Sequence, residues 1–233
     1  MNKICKLSAI ALLASSTSLM AQSKSFEGVS LGISASAIGA EVSGSTTNEA
    51  GNASGSLGKV AEIAAIDLSY GFAVGPNGVI QVGASYTPGK AKAGTGTYTD
   101  NGRTGGASSD LDGKINIEVK DPYTIYIAPT YAISKDAAIY FKVGYSAADI
   151  NTTTTGTGAV LSKKPEDLKG MTYGIGSKTM LTPNLYLGVE ANITDYDTVT
   201  ATQAAVSGGS TAAKTIKADV STVQGVVTIG YKF

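Results

Sequence analysis

Two-residue alternation recurs in eight segments between Val29 and Phe233, and no other property of the chain constrains its fold as tightly. In each segment one parity is apolar and the other small or polar, as expected of strands whose two faces meet different surroundings. Val29, Leu31, Ile33, Ala35 and Ala37 alternate with Ser30, Gly32, Ser34 and Ser36. Ile66, Leu68, Tyr70 and Phe72 follow, then Ile80, Val82, Ala84 and Tyr86. The fourth segment carries Ile115, Ile117, Val119, Tyr123, Ile125, Ile127 and Tyr131, read on one parity across Asp121-Pro122. The fifth has Ile139, Phe141, Val143 and Tyr145; the sixth has Met171, Tyr173 and Ile175. The seventh has Leu185, Leu187, Val189, Ala191 and Ile193; the eighth has Val223, Val227, Ile229, Tyr231 and Phe233.

The connections alternate in kind. Tight turns are expected at Gly75-Pro76-Asn77-Gly78, Ser134-Lys135-Asp136 and Thr182-Pro183-Asn184. Long polar loops are expected over Ser43 to Leu57, Pro88 to Asp112, Asp149 to Lys169 and Thr198 to Lys214. An even strand count, an apolar outer parity and this asymmetry of loops imply an all-β fold: an eight-stranded antiparallel transmembrane β-barrel with short periplasmic turns and long external loops. Lipid cannot satisfy a free sheet edge, so the sheet must close. Eight strands leave an interior that side chains fill, and glycines on the inward parity, Gly174, Gly176 and Gly188, are expected to relieve crowding there. A soluble lipocalin-like barrel would need the opposite arrangement, apolar inside and polar outside.

Residues 1–21 read as a signal peptide, with Lys3 and Lys6, an apolar stretch from Ile10 to Leu13, and a small-residue exit at Ala21. The remainder, residues 22–233, suits one barrel domain. Cys5, the single cysteine, lies in the leader, so the exported part would carry no thiol. That part has 16 basic and 18 acidic residues, a balance that speaks against nucleic-acid binding.

The run Val227-Thr228-Ile229-Gly230-Tyr231-Lys232-Phe233, with Ile229, Tyr231 and Phe233 on one face, resembles the closing strand of bacterial outer-membrane barrels. With the leader and the eight segments, the chain resembles small OmpA/OmpX-like barrels of the opacity-protein type. The resemblance implies location in the bacterial outer membrane, and it makes the terminal run an assembly signal read by the barrel-assembly machinery. It implies contact with outer-membrane lipids and lipopolysaccharide, a monomer, and loops free to meet a surface ligand. The end at Phe233 leads us to expect no periplasmic peptidoglycan-binding domain. Without tryptophan, the interfacial girdles rest on Tyr70, Phe72, Tyr86, Tyr123, Tyr131, Phe141, Tyr145, Tyr231 and Phe233.

Histidine is absent, which removes the commonest general base and metal ligand. No catalytic residue, cofactor site or metal site is therefore expected. Asp67, Lys142, Lys178 and Glu190 share the inward parity and lie four to eight residues from a periplasmic turn, so at about 3.3 Å per residue they fall in one layer. A fixed internal salt-bridge network is the simple expectation; a gate that admits small ions is the sharper one. Glu118 and Lys120 are expected as solvated charges near the external rim. The sequence thus points to a non-enzymatic outer-membrane barrel acting in envelope structure and surface contact through its loops. The alternative is a narrow porin-like channel or OmpW-like transport of small molecules.

Overall fold

The computed structural model describes residues 22–47, 53–98, 113–155, 161–163, 167–203 and 214–233. The expected leader with Cys5 and the central parts of the segments expected as long loops lie outside these residues. A short 3₁₀ turn, Gln22–Phe26, precedes eleven strands: β1 (Gly28–Thr47), β2 (Ala53–Val74), β3 (Gly78–Tyr86), β4 (Lys90–Tyr98), β5 (Gly113–Ala132), β6 (Ala137–Thr155), β7 (Leu161–Lys163), β8 (Leu168–Met180), β9 (Leu185–Tyr196), β10 (Val199–Gln203) and β11 (Lys214–Lys232). Among the described residues no helix is long and apolar enough to cross a membrane.

Eight of the strands form a closed antiparallel barrel in the order β1-β2-β3-β5-β6-β8-β9-β11, sealed by β1 against β11 from Ser30↔Lys232 to Thr47↔Thr215. Burial follows the alternation. In β8 and β9 every second residue is buried or nearly so, and the intervening Tyr173, Ile175, Leu187, Val189 and Ile193 are exposed. The aromatic residues expected at the girdles all point outward. An apolar surface of this extent is untenable in water and favourable against acyl chains.

The outward face changes character at one level. Along β9 it is apolar from Leu187 to Ile193 and then meets Asp195; along β8 Met171 gives way to Lys169. A tilted transmembrane strand needs about 9–11 residues, yet β1, β2 and β5 have 20, 22 and 20. The barrel wall therefore continues well above the membrane. The long loops expected from composition are in part strand: β1 runs on to Thr47, β2 starts at Ala53, β6 reaches Thr155, and β4, β7 and β10 fall inside segments read as loop. Serine, threonine and glycine are compatible with a pleated strand as well as with a loop, so polarity alone misplaced these boundaries.

A second correction concerns β5. Its parity does not persist across Asp121-Pro122. The ladder to β6 steps from Lys120↔Asp149 to Tyr123↔Ala147, three residues against two, and Asp121 has φ of 48°. One extra residue is a β-bulge, which reverses the facing of everything beyond it. Val119 consequently packs inward, not toward lipid.

Above this level the wall also divides. β3 pairs with β2 only from Val74↔Gly78 to Ile66↔Tyr86; past Thr87-Pro88-Gly89, β4 pairs with β5 and has no ladder to β2. On the other side β6 stays with β5 as far as Lys114↔Thr155, whereas β7 pairs with β10. The described rim thus consists of two sheets, β4-β5-β6 and β7-β10-β11-β1-β2.

Candidate functional site: the barrel lumen

The lumen is built in layers. At the periplasmic mouth Phe26 is 2% exposed and packs with Val79, Ala132, Ala138, Met180 and Tyr186, supplied by five different strands. This apolar floor is absent from the sequence-based reading, because Phe26 stands alone outside any alternating run. Ser23 anchors the turn: its Oγ donates to the Gly75 carbonyl at 2.8 Å and its amide to Pro76 at 3.0 Å.

Above the floor the structure brings together the four charged residues singled out in the sequence. Lys142 Nζ lies 2.7 Å from both carboxylate oxygens of Glu190, with side-chain exposures of 10% and 7%. Asp67 accepts from the Tyr126 hydroxyl on both oxygens, at 3.0 and 2.9 Å. Lys142 sits 4.2 Å from the Tyr126 ring centre and Lys178 sits 4.3 Å from that of Tyr186. Among the described residues Lys178 has no carboxylate within ion-pair distance, so the four charges form one tight pair, a lysine over the Tyr186 ring and a carboxylate held by the Tyr126 hydroxyl, not a closed network. Cation–ring contact compensates part of the lost hydration.

Tyr126, Tyr140 and Tyr186 complete this layer. Tyr126, between Ile125 and Ile127, has the inward parity of its segment but carries no charge to single it out in the sequence. The inward glycines make room for these rings. A Cβ on Gly176 would collide with the Tyr140 ring, and one on Gly174 with Asn192 Oδ1; at Gly188 the nearest atom would be 3.5 Å away, ordinary contact, so crowding is relieved at two of the three expected positions.

The next layer is a row of hydroxyls across four strands. Thr124 meets Ser146 at 2.6 Å, Ser146 meets Thr172 at 2.5 Å, and Thr172 meets Thr194 at 2.8 Å. Between this row and the charges below, Asn192 donates to Glu190 at 2.6 Å. A cavity of about 110 Å³ runs through these two layers and reaches Ile38, Ile63, Thr87, Pro122, Tyr123 and Tyr196. Thr87, Pro122 and Tyr123 border the place where β3 leaves β2.

At the external end the inner wall becomes apolar again. Ala148, Leu168 and Val199 are buried, with Val119, Ile150, Tyr196 and Val220 packed against them. They belong to β5, β6, β8, β9, β10 and β11, across the mouth from the parting of β2 and β4. The bulge supplies Val119 to this cluster and is itself held at the rim, beyond the ten residues from Tyr123 to Ala132 that cross the membrane. Asp121 Oδ1 accepts from the Gly89 amide at 3.0 Å and from the Tyr86 hydroxyl at 3.2 Å, and Lys120 lies 3.3 Å away. The Gly89 amide, more than any other neighbour, holds this carboxyl below its ordinary pKa. Glu118 lies 4.0 Å from the exposed Lys90.

Ile229, Tyr231 and Phe233 are exposed on the outer face of β11, with Tyr231 and Phe233 edge to face at 5.0 Å. Among the described residues no group of three His, Cys, Asp or Glu side chains is placed to hold a metal ion.

An antiparallel barrel closed on itself, apolar outside and filled with polar side chains inside, defines a transmembrane β-barrel of the outer-membrane class. The sequence matches the outer membrane protein beta-barrel domain over residues 9–233, and the chain belongs to that family. Its place is the bacterial outer membrane. No curated protein matches the sequence. Among solved structures the fold is similar to the outer membrane protein OprG from Pseudomonas aeruginosa, at 15% identity and TM-score 0.57 over 89% of this chain and 96% of that one. It is also similar to the outer membrane protease OmpT from Escherichia coli, at 10% identity and TM-score 0.51 over 88% and 97%. The attachment invasion locus protein Ail of Yersinia pestis aligns at 14% identity and TM-score 0.41 over 87% and 99%. At such identities the likeness is one of fold.

Proposed function

We propose that the protein is a non-enzymatic barrel that takes small apolar molecules from outside the cell and releases them sideways into the membrane. The observation that carries this reading is the parting of β2 from β4 beside the lumen cavity, faced across the mouth by inward apolar side chains. Leu168 and Val199 are themselves buried and stabilise this side of the mouth, while the partly buried Val119, Ile150, Tyr196 and Val220 packed against them leave apolar surface for a solute to meet. Such a patch lowers the free energy of an apolar solute by about 25 cal/mol for each Å² removed from water. The apolar floor below the charged layer bars the straight path to the periplasm, which leaves the side of the wall as the way out.

The test is transfer of an apolar fluorophore into vesicles carrying the purified barrel. Faster transfer than into protein-free vesicles, slowed when Asp121→Ala releases the kink at Pro88-Gly89, supports the reading. Equal rates with and without protein would sink it.

A second reading, surface contact through the external loops, is favoured by the height of the wall: β1, β2 and β5 run about twice the length needed to cross the bilayer. Its test is adhesion by cells whose barrel lacks residues 99–112. The outward Ile229, Tyr231 and Phe233 support a role as the signal for assembly, and the lipid-facing belt supports life as a monomer among outer-membrane lipids and lipopolysaccharide.

A further inference from the structure

The geometry points to the N-terminal turn, Gln22–Phe26, as a seated plug that closes the periplasmic mouth of the lumen to ions. Three observations meet here. Phe26 and Ser23 are at 2% and 0% exposure although they belong to a five-residue turn outside the sheet. The turn is fastened around the mouth: Ser23 to Gly75 and Pro76, the Gln22 side-chain amide donating to the Ala132 and Ile133 carbonyls at 3.0 and 3.2 Å, and, just past the turn, Lys232 Nζ to the Glu27 carbonyl at 3.3 Å. The barrel wall is also shaped to receive it, since a Cβ on Gly71 would collide with the Phe26 carbonyl oxygen.

Directly above lie groups that could otherwise hold water and ions: Lys142, Lys178, Glu190, Gln81 and the hydroxyl row, around a cavity of about 110 Å³. A lumen with that lining fills with water if its lower end is open. Phe26 and its partners make the lower end apolar and dry, the arrangement by which an apolar constriction stops ion flow. The plug lies below the charged layer and the sideways route above it; a silent barrel that fails to carry the apolar fluorophore sinks the sideways route alone, whereas a wild-type barrel that conducts steadily sinks the plug and, with it, the closed straight path on which the sideways route rests.

The experiment is single-channel recording in planar bilayers with the full exported chain, comparing wild type with Phe26→Ala, both first shown to be folded by heat-dependent gel mobility. The expected result is a nearly silent wild-type barrel and a rise of at least an order of magnitude in ion conductance for the variant. A wild-type barrel that conducts steadily, or a folded Phe26→Ala that stays silent, overturns the proposal. A second measurement stands if Phe26→Ala does not fold. Ser23→Cys in the otherwise unchanged barrel should react with a membrane-impermeant thiol reagent far more slowly than the same protein unfolded. Equal rates would show that the turn is not seated.

Discussion

At the scale of single residues, the lumen rests on compensations that can be separated by mutation. Glu190 and Lys142 are both buried and in contact at 2.7 Å. Removing one partner of such a pair strands the other charge and costs about 3–5 kcal/mol, whereas replacing both with apolar groups of similar volume is close to neutral. Urea unfolding from bilayers should therefore show Glu190→Ala as much less stable than Lys142→Met combined with Glu190→Leu. Glu190 also accepts from Asn192, so the single change strands two donors. Gly176→Ala would drive a methyl into the Tyr140 ring, and overpacking of this kind costs about 1–3 kcal/mol, readable in the same assay.

Asp121 gives a prediction in pH. Its carboxyl is held low by the Gly89 amide, so its contribution to the kink is complete above the unfolded value, about 3.9, and is lost as pH falls through the lower folded value. The Gly89 amide resonance should titrate with a midpoint below that of an ordinary aspartate. A midpoint at or above it would mean that the hydrogen bond is not formed.

At the scale of elements, the eight barrel strands were legible because lipid outside and a polar filling inside impose opposite demands on successive residues. Nothing in the pattern marks the bulge, however, since Ile115, Ile117 and Val119 have the same chemistry whether they face acyl chains or an apolar mouth. Only Asp121-Pro122 hints at it, and a single Asp-Pro pair is equally at home in an unbroken edge. Inward charges were legible for a related reason: a charged residue on the inner parity has few places to go. The hydroxyl row and Tyr126 were not, because serine and threonine suit loops as well as lumens, and an aromatic on the inner parity carries no charge to set it apart. Cysteine labelling separates the two readings of β5. Val119→Cys should react more slowly with an impermeant reagent than Lys120→Cys, its outward neighbour. The reverse order would restore unbroken parity.

At the scale of the whole molecule, stability and specificity occupy different heights. The membrane-spanning half has a closed ladder on all eight strands, a filled interior and short turns. The external half is two sheets that part at β2/β4 and at β6/β7. Deleting residues 99–112 should leave the heat-dependent gel shift intact, since the described barrel ladders are all made by residues outside that segment, and a loss of the shift would place part of the folding energy in it.

The plug also bears on the order in which the molecule is made. Gln22–Phe26 comes ahead of every strand, yet the socket it enters is assembled from the turn after β2, from β3, β5, β6, β8 and β9, and from Lys232 near the far end of β11. The complete set of partners is in place only once β11 has met β1, and contacts so distant in sequence form only after the intervening chain has been ordered. The earliest residues of the barrel domain are thus the last to settle. Their burial records that the cylinder has closed, and until then the amino-terminal end stays open to any periplasmic protein that escorts or destroys unfinished barrels.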